Sequence, residues 1–490
     1  MELNHRPADG PEREREYPKG RFFVFLALLV LILAFIIAAQ RLDVRAVEGP
    51  AISEIALQAS IAAKAAYAYR HAELLGPARE VQARQFEDLA LLQYKRAVKG
   101  AANANDRRRL IILQYEAGRP DLRQNISALE KGGRRGAERV RLAREAAMWR
   151  HIYLGGKLTR DDVDVYEQRI RKSDLGWYEH LALNHLYGRA GLRHQAREQQ
   201  TLATRAATAN VLSLAGVIIA IIVLGMFGLG LLARYVGTKH RRGSEVYLEP
   251  EVEPAARERI AGYLLETFVV YLGIVIGVQL LGPVVVHPGV AGTGKLSSTP
   301  QVLVTAGVYI TGGLLALAYL AARLKSAGWS WHLVGLRSRQ PWTDIAWGIG
   351  GYAAAVPLIL TAAVLSKLLS QYVRTPENPV IPLFVESETL FERLVLLALA
   401  VVIAPFFEEL FFRGVLYTSF RAKWGIAAGV VGSALAFAGV HPLPLGLLPI
   451  FVLGAVFAVL LRERSSLLPG MIAHSMNNAV AFALLFVLAG

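Results

Sequence analysis

Three charged residues interrupt one of the most apolar parts of the sequence. In the segment PFFEELFFRG, residues 405–414, Glu408 and Glu409 are adjacent and Arg413 follows. A charge inside a bilayer costs roughly 2.5–3.5 kcal/mol even on mild insertion scales, so it needs a partner or a function. The i,i+4 spacing, with the acid first, favours an ion pair between Glu409 and Arg413 on a helix. Glu408 has no such partner and points about 100° away from Glu409.

Two further polar pairs follow along the chain. FAGVHPLP contains Phe437 and His441, and HSMNN contains His474 and Asn478. Each pair has the i,i+4 spacing of one helical face. Imidazole and carboxylate are suitable zinc ligands, and a carboxylate beside a polarised water is a usual general base for amide hydrolysis. A side-chain amide such as Asn478 can donate to a developing oxyanion, and Glu408 with a histidine could also activate water without a metal.

Each feature also has a purely structural explanation. The Glu409–Arg413 pair can serve packing alone, and His441 can cap a helix before a proline break. His474 can lie at the membrane interface. Their combination within one hundred residues nevertheless favours a functional site. Other intramembrane protease chemistries lack their residues, because HExxH and GxGD are absent from the sequence and Ser433 lacks the glycine-rich setting of a serine nucleophile.

The elements that carry these residues are apolar runs separated by short polar segments. Most runs are long enough, at 1.5 Å per residue, to cross a hydrocarbon core of about 30 Å. The runs 427–440 and 447–461 are too short and predict a hairpin whose tip, HPLPLG, lies at mid-depth. The pattern predicts an all-α, polytopic membrane helix bundle. The runs are 22–39, 211–233, 263–285, 302–322, 345–369, 390–412, 427–440, 447–461 and 468–488.

Lysine and arginine collect in alternate short loops, which predicts a cytoplasmic N-terminus. The sequence AAQ at 38–40 is a weak cleavage site, so we expect an uncleaved signal anchor. The predicted organisation is a cytoplasmic tail at 1–21, a transmembrane anchor at 22–40, a helical extracytoplasmic domain at 41–208, a transmembrane helix at 209–234, a cytoplasmic linker at 235–261 and a polytopic membrane domain at 262–490.

Composition narrows the chemistry further. The chain has 490 residues, of which 54% are hydrophobic and 19% charged, and it has no cysteine. Disulfides, thiol nucleophiles, cysteine zinc sites and iron–sulfur clusters are therefore excluded. Lysine and arginine outnumber the acidic residues by 54 to 39. In a membrane protein this excess is explained by orientation and anionic lipid, so no nucleic-acid partner is predicted.

The insert between the first two apolar runs is rich in alanine, leucine and arginine at helical spacing. It predicts antiparallel helix pairs. Residues 177–199 are similar to one degenerate tetratricopeptide unit, but no clean 34-residue repeat is found, so a plain helical bundle stays the alternative. His180 and His185 are expected to be solvated surface residues. This domain is the candidate site for a protein partner.

The motifs resemble those of the CPBP family of CAAX proteases and bacteriocin-processing enzymes, also called the Abi family, which includes Ras-converting prenyl endopeptidases. Its signatures are EExxxR, FxxxH and HxxxN. They match Glu408-Glu409…Arg413, Phe437…His441 and His474…Asn478 in order. The resemblance covers about residues 385–488, and the stretch 334–350 is similar to a less specific upstream element.

This resemblance implies an intramembrane metalloendopeptidase. Glu408 would activate water, with Glu409, His441, His474 and Asn478 as further catalytic residues, and Arg413 and Phe437 would support the site. Zinc, held by His441, His474 and Glu408, is the implied cofactor, although a metal-free mechanism stays open.

The implied substrates are hydrophobic, lipidated (CAAX-like) or leader-bearing polypeptides, in contact with membrane lipids, in a bacterial cytoplasmic membrane. The alternative is a non-catalytic membrane scaffold or bacteriocin-immunity factor whose helical insert binds a protein partner.

Overall fold

A computed structural model of the protein describes residues 17–44, 52–72, 78–100, 104–131, 136–241, 253–286, 298–369, 383–384, 387, 389–441 and 446–489. All regular secondary structure in these residues is helical, which confirms the predicted all-α class. Seven of the described helices are long and apolar enough to cross a membrane. The chain is therefore an integral, polytopic membrane protein. Its orientation and the fate of the first apolar segment stay predictions.

The helices, in chain order, are α1 Lys19–Val44, α2 Ile52–Arg70, α3 Ala78–Gly100, α4 Ala104–Glu116, α5 Leu122–Lys131, α6 Ala137–Leu154, α7 Arg160–Arg171, α8 Trp177–Arg189, α9 Arg193–Arg241, α10 Pro254–Val286, α11 Ser298–Ser326, α12 Pro341–Leu369, α13 Leu390–Trp424, α14 Ile426–Gly439, α15 Leu447–Arg464 and α16 Leu468–Ala489.

The chain divides into two compact units. The first, here called the membrane unit, comprises Met1–Leu42, Val223–Val373 and Glu386–Ala479. The second comprises Asp43–Ile222, Arg374–Val385 and Val480–Gly490, and its helices α2 to α8 are here called the helical domain. The domain boundaries predicted from the sequence stay predictions, because this division rests on compactness and not on position relative to a membrane.

The helical domain has its own hydrophobic core. Trp149 and Tyr94 are fully buried in it, together with alanines that let neighbouring helices approach closely. His185 also lies in this core, contrary to the expectation of a solvated surface residue. It is buried, and its Nε2 lies 2.6 Å from Glu116 Oε2. His180 is half-buried and contacts Gln199. Tertiary packing, which single-residue spacing cannot reveal, decides these positions.

In the membrane unit the first helix is packed against the others. Tyr17 and Phe22, at its start, are buried, and the Phe22 ring meets Trp424 edge to face. Arg21 pairs with Glu266 on α10 at 3.0 Å. A methyl group on Gly262 would come within 2.2 Å of the Tyr17 ring, so this glycine permits the approach of α1 to α10. The N-terminal anchor is thus an integral part of this unit.

One helix of the unit is short, as the sequence predicts. Helix α14 has 14 residues and spans about 21 Å. Helix α15, also predicted to be short, has 18 residues and extends past the predicted run 447–461 to Arg464, about 27 Å in all. Most of the predicted hairpin tip falls on residues 442–445, which lie outside the described residues. In contrast, α13 runs unbroken for 35 residues and carries Glu408 and Glu409 near its middle.

Candidate active site in the membrane unit

Helix α13 departs from regular α-geometry on both sides of its glutamates. Residues 399–403 and 409–417 are π-helical, a form that often marks functional sites. Pro405 has no N–H, so it cannot donate to the carbonyl of Ala400 five residues earlier. Asn478 on α16 supplies the missing donor, with its Nδ2 2.8 Å from Ala400 O. One amide hydrogen of Asn478 therefore repairs the helix, and the second is left for another acceptor.

The predicted ion pair between Glu409 and Arg413 is present and completely buried. Glu409 Oε1 and Arg413 Nη1 are 3.2 Å apart, and both side chains have 0% exposure. The guanidinium carbon lies 4.1 Å from the ring centroid of Phe437 and 5.1 Å from that of Phe457. Such cation–π contacts partly replace lost hydration. Phe437 therefore packs against Arg413, and its role in supporting a catalytic site stays a prediction.

Two glycines allow the neighbouring helices to close around this pair. A Cβ on Gly454 of α15 would lie 3.1 Å from Arg413 Nη2. A Cβ on Gly470 of α16 would lie 2.8 Å from Glu409 Oε2. Because any larger residue would displace the charged groups, both positions are part of the site. Neither glycine was predicted as part of the site, although glycines inside apolar helices mark close approach of a neighbouring helix.

His474 joins the two glutamates. Its Nδ1 lies 3.1 Å from Glu409 Oε1, and its Nε2 lies 3.7 Å from Glu408 Oε2. The ring stacks on Phe457 with centroids 5.1 Å apart, and the side chain is 5% exposed. A carboxylate at Nδ1 holds the proton on that nitrogen, so Nε2 presents its lone pair towards Glu408 when the ring is neutral.

His441 is oriented by its own helix. Its Nδ1 donates to Phe437 O at 2.7 Å, because a carbonyl only accepts, and its ring meets the Phe437 ring at 4.7 Å. The other ring nitrogen of His441, Nε2, makes no hydrogen bond to any described residue. Within the described part of the chain no hydrogen bond or ion pair joins His441 to Glu408 or His474. The Phe437 ring, which also contacts His474 at 5.7 Å, links the two histidines.

Glu408 faces a different neighbour from Glu409, as the helical rotation predicts. Its Oε1 accepts a hydrogen bond from the Tyr309 hydroxyl of α11 at 3.0 Å, and the side chain is 17% exposed. Tyr309 and Phe407 line a cleft between α10 and α11 with room for about one water molecule. Tyr309 was not predicted from the sequence, because α11 carries several hydroxyl residues and nothing in their spacing distinguishes this one.

The structure therefore gathers Glu408, Glu409, Arg413 and His474 directly, with His441 and Asn478 joined to the cluster through Phe437 and α13. The donor chemistry suits zinc, because each histidine contacts an oxygen through Nδ1 and has its Nε2 atom on the opposite side of the ring, the arrangement common in metal-ligating histidines. Yet no three His, Asp or Glu side chains among the described residues are grouped closely enough to hold one ion. Zinc stays a prediction.

Comparison with known proteins identifies the segment that contains this cluster. Residues 390–480 match the family model described as Type II CAAX prenyl endopeptidase Rce1-like. The chain carries an Rce1-like domain. This confirms the resemblance drawn from the three motifs, and it implies a protease with a polypeptide substrate. Searches of curated proteins and of solved structures gave no match.

The Rce1-like domain accounts for α13, α14, α15 and the part of α16 that bears the motifs. Helices α1 to α12 lie outside it. Tyr309, the hydrogen-bond donor to Glu408, is therefore contributed by a helix that the family model does not include.

Proposed function

We propose that the protein is an intramembrane endopeptidase in which Glu408 activates the hydrolytic water. The observation that carries this proposal is the contrast between the two adjacent glutamates. Glu409 is committed to Arg413 and His474 and is fully buried. Glu408 is partly exposed, and its Oε2 atom makes no hydrogen bond to any described residue but lies 3.7 Å from the Nε2 atom of His474. A free carboxylate oxygen beside an imidazole suits general acid–base catalysis.

In the proposed reaction, Glu408 Oε2 takes a proton from water while the water oxygen bonds to the carbonyl carbon of the substrate. The second hydrogen of this water is accepted by an imidazole, at the Nε2 atom of His474 or of His441. The second amide hydrogen of Asn478 donates to the oxyanion that develops. Protonated Glu408 then gives its proton to the amide nitrogen as the C–N bond breaks, so that a carboxyl and an amino terminus are released.

The apolar surroundings support this chemistry, because exclusion of bulk water strengthens the charge interactions inside the site. Glu409 would hold the Nδ1 proton of His474 and thereby keep its Nε2 atom as an acceptor. If zinc is bound, Glu408, His441 and His474 would hold it, and the ion would polarise the water and the scissile carbonyl.

The proposed substrates are hydrophobic polypeptides, either lipidated near the C-terminus or carrying a leader peptide. An active site inside a membrane unit supports this choice, since such substrates reach it from the lipid phase. A protein partner of the helical domain stays a proposal, as does a cytoplasmic N-terminus.

The test uses the full-length protein in nanodiscs and a panel of farnesylated and leader-bearing peptides. We expect wild type to cleave at least one class, and Glu408→Gln to lower kcat about 10²- to 10⁴-fold, the usual contribution of a general base. Glu198→Gln, at an exposed position of α9, is the control and should cleave normally. Chelation followed by added zinc tests the metal.

Three outcomes separate the hypotheses. Loss of cleavage in Glu408→Gln alone supports the proposal. Full activity of Glu408→Gln rejects the assigned base. No cleavage by wild type across the panel, with capture of a protein partner that survives Glu408→Gln, supports the scaffold alternative.

A further inference from the structure

The hydrogen bond between Tyr309 and Glu408 crosses from α11 to α13. The Tyr309 hydroxyl donates to Oε1 at 3.0 Å. The other oxygen of the same carboxylate, Oε2, is the one that lies 3.7 Å from His474. The two oxygens are thus distinguished, because one is occupied by a protein donor and the other faces the imidazole.

A glutamate side chain has three rotatable bonds, so a base at its end is poorly positioned unless something holds it. The tyrosine ring is rigid, so a hydroxyl at its end can hold a carboxylate in a fixed position several ångströms from the tyrosine backbone. The Tyr309 ring is half-buried against α10 and lines the small cleft with Tyr271 and Gly313. The cleft has room for about one water, so the ring has little space to turn away.

The spacing between α11 and α13 depends on Gly313, one turn after Tyr309. A Cβ on Gly313 would lie 2.6 Å from the ring of Phe407, the residue before Glu408. Even the smallest side chain would therefore push the two helices apart. The adjacent Gly312 differs, because a Cβ there would meet its nearest neighbour, Val275, at an ordinary 3.7 Å.

We infer that Tyr309 is a positioning residue for Glu408, set at the required distance by Gly313, so that the active site extends beyond the Rce1-like domain into α11. The inference rests on the proposed role of Glu408 as the base. Tyr309 holds the carboxylate plane through Oε1 and leaves Oε2 directed to the water. It does not itself touch the reacting atoms.

The experiment measures kcat and KM for the peptide that wild type cleaves best. Tyr309→Phe should lower kcat about 10- to 100-fold and leave KM within twofold, because a misplaced base slows the reaction without changing substrate binding. Tyr271→Phe is the matched control, since Tyr271 lines the same cleft but makes no hydrogen bond to Glu408 in the described residues. It should keep wild-type kcat.

Substitutions at Gly313 and Gly312 test the spacing between α11 and α13 without changing the Tyr309 hydroxyl. Gly313→Ala should lower kcat as Tyr309→Phe does, and Gly312→Ala should not. If Tyr309→Phe fails to fold, as judged by gel filtration and thermal unfolding, the glycine pair decides. Wild-type kcat in Tyr309→Phe, or in Gly313→Ala where Tyr309→Phe does not fold, would overturn the inference, as would a raised KM with unchanged kcat.

Glu408→Gln, measured in the same assay, keeps the two proposals apart. If it is inactive while Tyr309→Phe is fully active, the base assignment stands and the positioning role is rejected. If Glu408→Gln is as active as wild type, the base assignment and the positioning role are rejected together.

Discussion

Buried glutamate–arginine pairs occur in both units of the molecule, and they differ in how completely their polar atoms are satisfied. In the helical domain, Arg108 binds Glu145 through two parallel contacts of 2.5 and 2.6 Å, and Trp149 donates to the same carboxylate at 3.2 Å. In the membrane unit, Arg413 and Glu409 are 3.2 Å apart without hydrogen-bond geometry. Aromatic rings surround the guanidinium.

The difference separates a fully hydrogen-bonded pair from an incompletely bonded one, and it supports the proposed active site around Glu408. Among the described residues, no guanidinium nitrogen of Arg413 makes a hydrogen bond, and Glu409 Oε2 accepts none. Buried unsatisfied polar atoms are few in native proteins, and each needs an explanation such as a catalytic role. The Arg108–Glu145 pair is satisfied and needs no function beyond folding.

The largest expected effect comes from removing either arginine. Arg413→Met and Arg108→Met each leave a buried carboxylate without its cation, which should lower the free energy of unfolding by about 3–5 kcal/mol. Thermal unfolding in detergent measures this. The two variants should differ in turnover at a temperature where both are folded, because only Arg413→Met disturbs Glu409 and His474. Equal turnover in the two folded variants would contradict the distinction.

A buried lysine in the helical domain can be compared with the buried arginines Arg108 and Arg413. Lys64 in the helical domain is 2% exposed, and burial together with the charge of Arg109 lowers its pKa to about 8. A lysine can escape the cost of burial by losing its proton, whereas an arginine cannot and needs a carboxylate. Between about pH 8 and the ordinary value of 10.5, the unfolded chain binds a proton that the folded chain does not, so stability should rise with pH.

Lys64→Met should therefore stabilise the protein by about 3 kcal/mol at pH 7, at 1.36 kcal/mol per pKa unit. The gain should shrink as the pH rises towards 9.5. The measurement is the difference in unfolding temperature between variant and wild type at pH 7 and at pH 9.5. Groups that titrate equally in both proteins do not contribute to this difference. The same gain at both values would show that Lys64 stays charged.

The smallest expected effect concerns the fit of α16 against the Glu409–Arg413 pair. Gly470→Ala places a methyl group 2.8 Å from Glu409 Oε2 and should lower kcat about 10- to 100-fold through displacement of His474. Gly188→Ala in α8 is the control, because a methyl there meets nothing within 4 Å. The measurement is kcat for peptide cleavage by both variants. Normal kcat in Gly470→Ala would mean that α16 can move to accommodate the methyl group without disturbing His474.

Much of the membrane unit was predictable from the sequence. Apolar runs, proline breaks and i,i+4 spacing predicted long membrane helices, the short helix α14 and the Glu409–Arg413 pair, because these features depend on local geometry along one helix. The contact of Asn478 with Ala400 was not predictable, because the missing N–H of Pro405 does not say which neighbouring helix supplies a donor.

What the sequence by itself determined is the local chemistry: which residues share a helical face, which helices are apolar enough to span, and which family the last hundred residues resemble. Only the tertiary structure decided that Tyr309 meets Glu408 from a distance of 99 residues, that His474 contacts both glutamates and that His185 is buried. The physical reason is that these contacts depend on how closely helices approach, and glycines such as Gly313 and Gly470 set that approach between segments remote in sequence.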